Sequence, residues 1–138
     1  MRRLRHLLAF AAIVAVSLVG CSGSQIAVTA VVGEVFTIGV GQSARITGED
    51  MVIKFDEVVG DSRCPQGVTC IWEGQASSRV TISYQGADYP MVLTLLGSAD
   101  ETKASFVRYT LTYSLKPYPV QGKKISPKDY RLTLTVTK

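Results

Sequence analysis

Arg131-Leu132-Thr133-Leu134-Thr135-Val136-Thr137, at the end of the chain, alternates polar and apolar side chains without a break. A period of two places Leu132, Leu134 and Val136 on one face of an extended strand and the threonines on the other, so one face meets a core and one meets water. Arg108-Tyr109-Thr110-Leu111-Thr112-Tyr113-Ser114-Leu115 repeats the pattern, as does Arg79-Val80-Thr81-Ile82-Ser83-Tyr84. Tyr84 runs into a turn at Gln85-Gly86-Ala87-Asp88, and Tyr89 to Leu96 reads as the return strand of a hairpin, with Pro90 near its start, where a missing amide donor is tolerated. Upstream, Val35 to Val40 and Gln42 to Thr47 are short strands, and Met51, Ile53 and Phe55 mark the inner face of another. The polar stretch Gly97 to Ser105 predicts a loop or one helical turn, and Pro117, Pro119, Gly122 and Pro127 mark a long connection before the last strand. Seven or eight strands over roughly a hundred residues predict an all-β antiparallel sandwich, immunoglobulin-like in general architecture. A small closed β-barrel is the alternative that periodicity does not separate from it.

The first residues read differently. Arg2, Arg3 and Arg5 precede an apolar stretch from Leu7 to Val19, the pattern of an export signal. Its thirteen or so residues make only about 20 Å of helix against a hydrocarbon core of about 30 Å. The stretch ends in Leu18-Val19-Gly20-Cys21, followed by Ser22-Gly23-Ser24, and this resembles the lipobox of bacterial lipoproteins. The alternative is an ordinary secretory signal with a chance cysteine. The resemblance implies that Cys21 receives diacylglycerol, becomes the new N-terminus and carries acyl chains enough for stable membrane anchoring. It also implies, from Ser rather than Asp at position 22, the outer membrane in a Gram-negative envelope, and otherwise the outer face of the cytoplasmic membrane. The expected organisation is a signal peptide over 1–20, a lipidated N-terminus and tether over 21–34, and one β domain over 35–138. A tether of about a dozen residues reaches no more than roughly 40 Å from the bilayer.

Removing the signal changes the chemistry that composition allows. The whole chain carries 15 basic and 11 acidic residues; without the three signal arginines the excess is one positive charge, too little for a nucleic-acid partner. Lys123-Lys124, with Lys116 and Lys128 nearby, is the one local basic cluster and reads as a solvated loop that anionic headgroups would favour slightly. The single histidine is His6, so a mature chain has no imidazole for a Ser-His-Asp or Cys-His site or for a His-rich zinc site. With Cys21 acylated, Cys64 and Cys70 remain, and export makes a disulfide between them the default. No cofactor and no metal is expected; an EF-hand-like oxygen spacing is missing.

Asp61-Ser62-Arg63-Cys64-Pro65-Gln66-Gly67-Val68-Thr69-Cys70-Ile71-Trp72-Glu73-Gly74 has an individual character. It resembles a motif of small uncharacterised exported proteins and lipoproteins of bacteria and archaea, Asp-Ser-Arg-Cys-Pro followed by Cys, an apolar residue, Trp, any residue and Gly. The resemblance covers about twenty residues and implies no activity. The residues themselves suggest a structural motif of Asp61, Arg63, Trp72 and Glu73, with Trp72 as a core plug beside the disulfide and Arg63 paired with Asp61 or Glu73 or donating to loop carbonyls. A functional reading offers Arg63, Gln66 and Val68 to a partner from a preorganised loop. The expectation is therefore a lipid-anchored, non-enzymatic cell-envelope protein that serves binding or assembly, with the membrane and an envelope protein as partners. The alternatives are a hydrolase using the carboxylates of Asp56, Glu57, Asp61 and Glu73, and a protease inhibitor acting through the Cys64-Cys70 loop.

Overall fold

The computed structural model describes residues 26–138, so the signal peptide, Cys21 and the serines after it lie outside the described residues. Nine strands form among the described residues: β1 (Ile26–Val31), β2 (Val35–Gly39), β3 (Ser43–Thr47), β4 (Met51–Asp61), β5 (Gln75–Tyr84), β6 (Ala87–Leu96), β7 (Thr102–Phe106), β8 (Tyr109–Lys116) and β9 (Arg131–Thr137). They build two sheets, β1-β3-β4-β5-β6 and β2-β9-β8-β7. Both sheets have free edges, so the architecture is a sandwich and the barrel alternative falls. Within the first, β3 to β6 follow one another as an antiparallel meander, and β7 to β9 do the same in the second.

The alternation in the sequence is the alternation in burial. Leu132, Leu134 and Val136 of β9, Leu111, Tyr113 and Leu115 of β8, and Val80 and Ile82 of β5 all belong to one core with Ile53 and Phe55 of β4. Their threonine and serine neighbours are half-buried or exposed on the outer faces. Burying aliphatic and aromatic rows from both sheets against each other is what holds the layers together, at about 25 cal/mol per Å² of apolar surface removed from water. Tyr84 meets Phe106 and Tyr109 edge to face at 5.7 and 5.9 Å, closing the core at the end where β5 turns into β6.

Three expectations change. Strand structure is present before Val35: the segment expected to be tether contains β1, which pairs in parallel with β3, Ile26 opposite Ser43 and Val31 opposite Thr47. Ile26-Ala27-Val28-Thr29-Ala30-Val31 is mostly apolar and does not alternate cleanly, as parallel strands often do not. The stretch expected to be a loop contains β7, a polar edge strand in which only Phe106 is buried. The β5–β6 turn tightens to Gln85 and Gly86, both at positive φ (50° and 80°), the two-residue geometry whose twist matches its strands.

β4 runs on to Asp61 by accommodating two irregularities in its pairing with β5, one between Phe55 and Glu57 and one between Val58 and Gly60. Each extra residue flips the facing of the residues after it. Glu57 thereby turns outward opposite Arg79, while Val58 faces inward opposite Ser78 and Asp61 inward opposite Ala76. A carboxylate thus arrives at the rim of an apolar core, and the Ser62–Gly74 motif provides its partner.

Candidate functional site

The pairing of β4 and β5 continues beyond the strands. Ser62 N donates to Gln75 O at 2.8 Å and Cys64 N to Glu73 O at 2.9 Å, so residues 62–74 form the narrow outer end of the β4–β5 hairpin. The expected disulfide is present, Cys64 to Cys70. It closes a small ring at the tip. By loop closure alone such a ring is worth about 2 kcal/mol, and the Cys64→Ser/Cys70→Ser protein should lose about that much in denaturant unfolding while keeping its sheets. A loss beyond about 4 kcal/mol would make the bridge a determinant of the whole fold.

At the base of the tip, Arg63 is 3% exposed. Its Nε and Nη2 donate to the two oxygens of Asp61 at 2.8 and 2.6 Å, a two-point pairing that matches guanidinium to carboxylate. The remaining donors cross to the other sheet: Nη1 to Leu115 O at 2.9 Å and Nη2 to Pro117 O at 3.0 Å. The guanidinium lies 4.9 Å from the centre of the Tyr118 ring, and Tyr130 donates its hydroxyl to Asp61 Oδ2 at 3.0 Å. Tyr118 in turn donates to Gly97 O at 2.9 Å. Arg63 and Asp61 therefore fasten the β4–β5 hairpin to the end of β8 and to the β8–β9 connection, and Tyr118 carries the link on to the β6–β7 connection. The sequence expectation that Arg63 pairs with Asp61 or Glu73 resolves to Asp61. Its expected offer to a partner is corrected: the side chain is buried, and each of its three nitrogens already donates to Asp61, Leu115 or Pro117.

Burial is the largest influence on the Asp61 carboxyl and opposes its charge, but the hydrogen bonds and positive charge of Arg63, with the Tyr130 hydroxyl, outweigh it and hold the carboxyl below its ordinary range. The same burial, followed by the charge of Asp61, pushes the Tyr130 phenol up to about 12. A carboxyl lowered on folding contributes stability above its unfolded value and loses it as pH falls through the folded one. Stability should therefore hold above the ordinary carboxylate value of 3.8 and decline below it. Asp61→Asn should flatten that acid limb, and an unchanged limb in urea titrations across this range would remove Asp61 as its cause.

The other candidates separate. Gln66 is held by its backbone, its N–H donating to Pro119 O at 2.9 Å and its carbonyl accepting from Gln121 N at 3.0 Å, which straps the tip to the connection carrying Lys123 and Lys124. Val68 is 42% exposed. Trp72 corrects its expectation most: it is 83% exposed, and Ile71 beside it 95%. The hairpin geometry explains this, because Arg63 occupies the place beneath the ring and the chain from Cys70 to Trp72 runs outside the sandwich. Their signal in the sequence was an apolar pair in a polar loop with no strand alternation around it.

The four acids do not converge. Asp56 pairs with Lys54 at 3.1 Å and accepts from Thr81 Oγ1 at 2.7 Å. Glu57 pairs with Arg79, Asp61 with Arg63, and Glu73 accepts from Ser98 N. A hollow of about 220 Å³ near the motif is lined by Val59, Gly60, Asp61, Ser62, Gln75 and Ser77, with one acid of the four, so a pair of carboxylates flanking a substrate is not assembled there. Among the described residues no group of three or more His, Cys, Asp or Glu is placed to hold a metal ion. The basic shoulder residue that an inhibitory loop would offer a protease is the buried Arg63.

What the site defines is a β-sandwich with a braced hairpin tip that exposes Val68, Ile71 and Trp72 among polar neighbours. Comparison with family models, with curated proteins and with solved structures finds no match.

Proposed function

We propose that the chain is a lipid-anchored, non-enzymatic envelope protein whose sandwich is a rigid stalk for a binding tip formed by Val68, Ile71 and Trp72. The observation that carries this reading is the exposure of Trp72 and Ile71, 83% and 95%, on a loop braced by a disulfide, a backbone strap and a buried ion pair. A solitary exposed apolar residue is ordinary, whereas a large aromatic and its aliphatic neighbour held together in water by so many constraints is a surface prepared for an occupant. Fixing the loop beforehand lowers the ordering cost of binding. The anchor belongs to the same reading, supported by the lipobox-like Leu18-Val19-Gly20-Cys21.

Two experiments test it. A photoreactive residue placed at position 71 in cells should label an envelope component that the same residue at Val107, exposed at the opposite end of the sandwich, does not. Equal labelling from both positions would remove the tip as a binding site. Trp72→Ala should reduce capture from position 71 while changing unfolding stability by less than about 0.5 kcal/mol, the expectation for a side chain with little packing to lose. For the anchor, Cys21→Ala should leave an unacylated precursor; unchanged mass and detergent-phase partitioning would overturn the assignment.

A further inference from the structure

We propose that the occupant of the tip is the bilayer that holds the protein's own lipid: Ile71 and Trp72 enter its interfacial layer beside Cys21. This rests on the anchor proposed above. Strand register places the two features at one end. β1 is parallel to β3 and starts with Ile26 opposite Ser43, which lies opposite Lys54 of β4. β4 runs from there toward Asp61 and the tip, while β1 runs the other way. The chain entering β1 therefore comes from the tip end. Asp61 is paired with Ala76 and Lys54 with Thr81, five steps along β5, or about 17 Å. Cys21 stands five residues before Ile26, a reach of at most about 17 Å. The acylated residue can draw level with Asp61 and little farther. The hairpin continues past that level through the Ser62–Gln75 and Cys64–Glu73 hydrogen bonds, so the tip projects beyond the farthest point the anchor can reach. With that end facing the bilayer, Ile71 and Trp72 meet lipid.

The side chains suit that layer. Tryptophan is the residue enriched at headgroup depth, with an apolar body and a polar N–H. Lys123 and Lys124 are exposed on the connection strapped to the tip through Gln66, and Lys116 and Lys128 are exposed at the same end; among the described residues none of the four makes an ion pair. Lysines beside an exposed aromatic fit a surface of phosphate headgroups. Glu73, Asp100, Glu101 and Asp129 at that end offset much of their charge, so the apolar tip and not net charge provides the attachment.

Trp72 is the single tryptophan of the chain, so its emission reports the tip alone. The full-length lipoprotein, purified and reconstituted into vesicles of phosphatidylethanolamine and phosphatidylglycerol, should show blue-shifted emission. Brominated acyl chains should quench it several-fold, and acrylamide should quench it several-fold less than in an unfolded sample. Ile71→Asp keeps the reporter and an exposed site and should lose most of the bromine quenching; Val107→Asp should keep it. If the protein carries its acyl mass and floats with the vesicles while Trp72 stays open to acrylamide and untouched by bromine, the tip proposal is overturned and the anchor stands. Should Trp72 be shielded in native envelopes but not in these protein-free vesicles, the occupant is a protein and the proposal is likewise overturned. A protein without acyl mass that does not float overturns both readings.

Discussion

Arg63→Ala should destabilise the protein by about 3–5 kcal/mol, the cost of removing one partner from a buried ion pair. The size reflects the groups left behind. The Asp61 side chain is 6% exposed and would keep only the Tyr130 hydroxyl and a backbone N–H among its present partners, while the carbonyls of Leu115 and Pro117 would lose their donor. Arg63→Lys should recover little of this, because an ammonium does not reproduce a two-point pairing with Asp61 together with donation to two carbonyls. Asp61→Ala/Arg63→Ala should lose less than the sum of the single losses, since the second change removes the orphan that the first creates. Denaturant unfolding measures all four proteins. A loss below about 1 kcal/mol for Arg63→Ala would place the pair with ordinary surface bridges.

Gly74→Ala is the second large effect. A Cβ there would lie 1.8 Å from the Ser62 carbonyl oxygen and 2.5 Å from its carbon, and the backbone already sits at φ +69°. Ser62 cannot yield alone: its N–H is bonded to Gln75 O, and Arg63 comes directly after it. Positive φ costs a non-glycine residue about 1–2 kcal/mol, and forcing backbone apart adds about 1–3 kcal/mol, so a loss of about 3 kcal/mol is expected. Gly33→Ala separates the two contributions, since Gly33 has φ +89° with nothing within 4 Å of the added carbon. It should lose only the conformational part. Equal losses at the two positions would show that the close approach to Ser62 contributes nothing.

The fold was legible wherever burial is one-sided. Leu132, Leu134 and Val136, or Leu111, Tyr113 and Leu115, alternate because one face of each strand meets the other sheet. β1 and β7 lie at sheet edges, where little of the strand is buried and alternation is not enforced: β1 is mostly apolar but buries only Ala30, and β7 buries only Phe106. The irregularities in β4 are invisible to a period-two reading, because what sets them is the register of β5 and the need to seat Asp61. At the site, the disulfide followed from counting cysteines, whereas the sequence left Arg63 between Asp61 and Glu73 and only the folded hairpin selects Asp61. Trp72 nevertheless lies outside, where a core plug was expected, and Arg63 takes the buried place. An isolated Trp reads as core and an isolated Arg as surface, but an arginine with a carboxylate, two carbonyls and an aromatic face to meet is satisfied inside. The tryptophan is then left outside.

The parallel pairing of β1 also has a mechanical meaning. Tension arriving at Ile26 from the tip end would act along the strand and not across it. The five partner pairs from Ile26↔Ser43 to Val31↔Thr47 would then be loaded together in shear instead of opening one at a time like a zipper. A domain hauled by its first residues would resist through β3 and, behind it, the meander from β4 to β6.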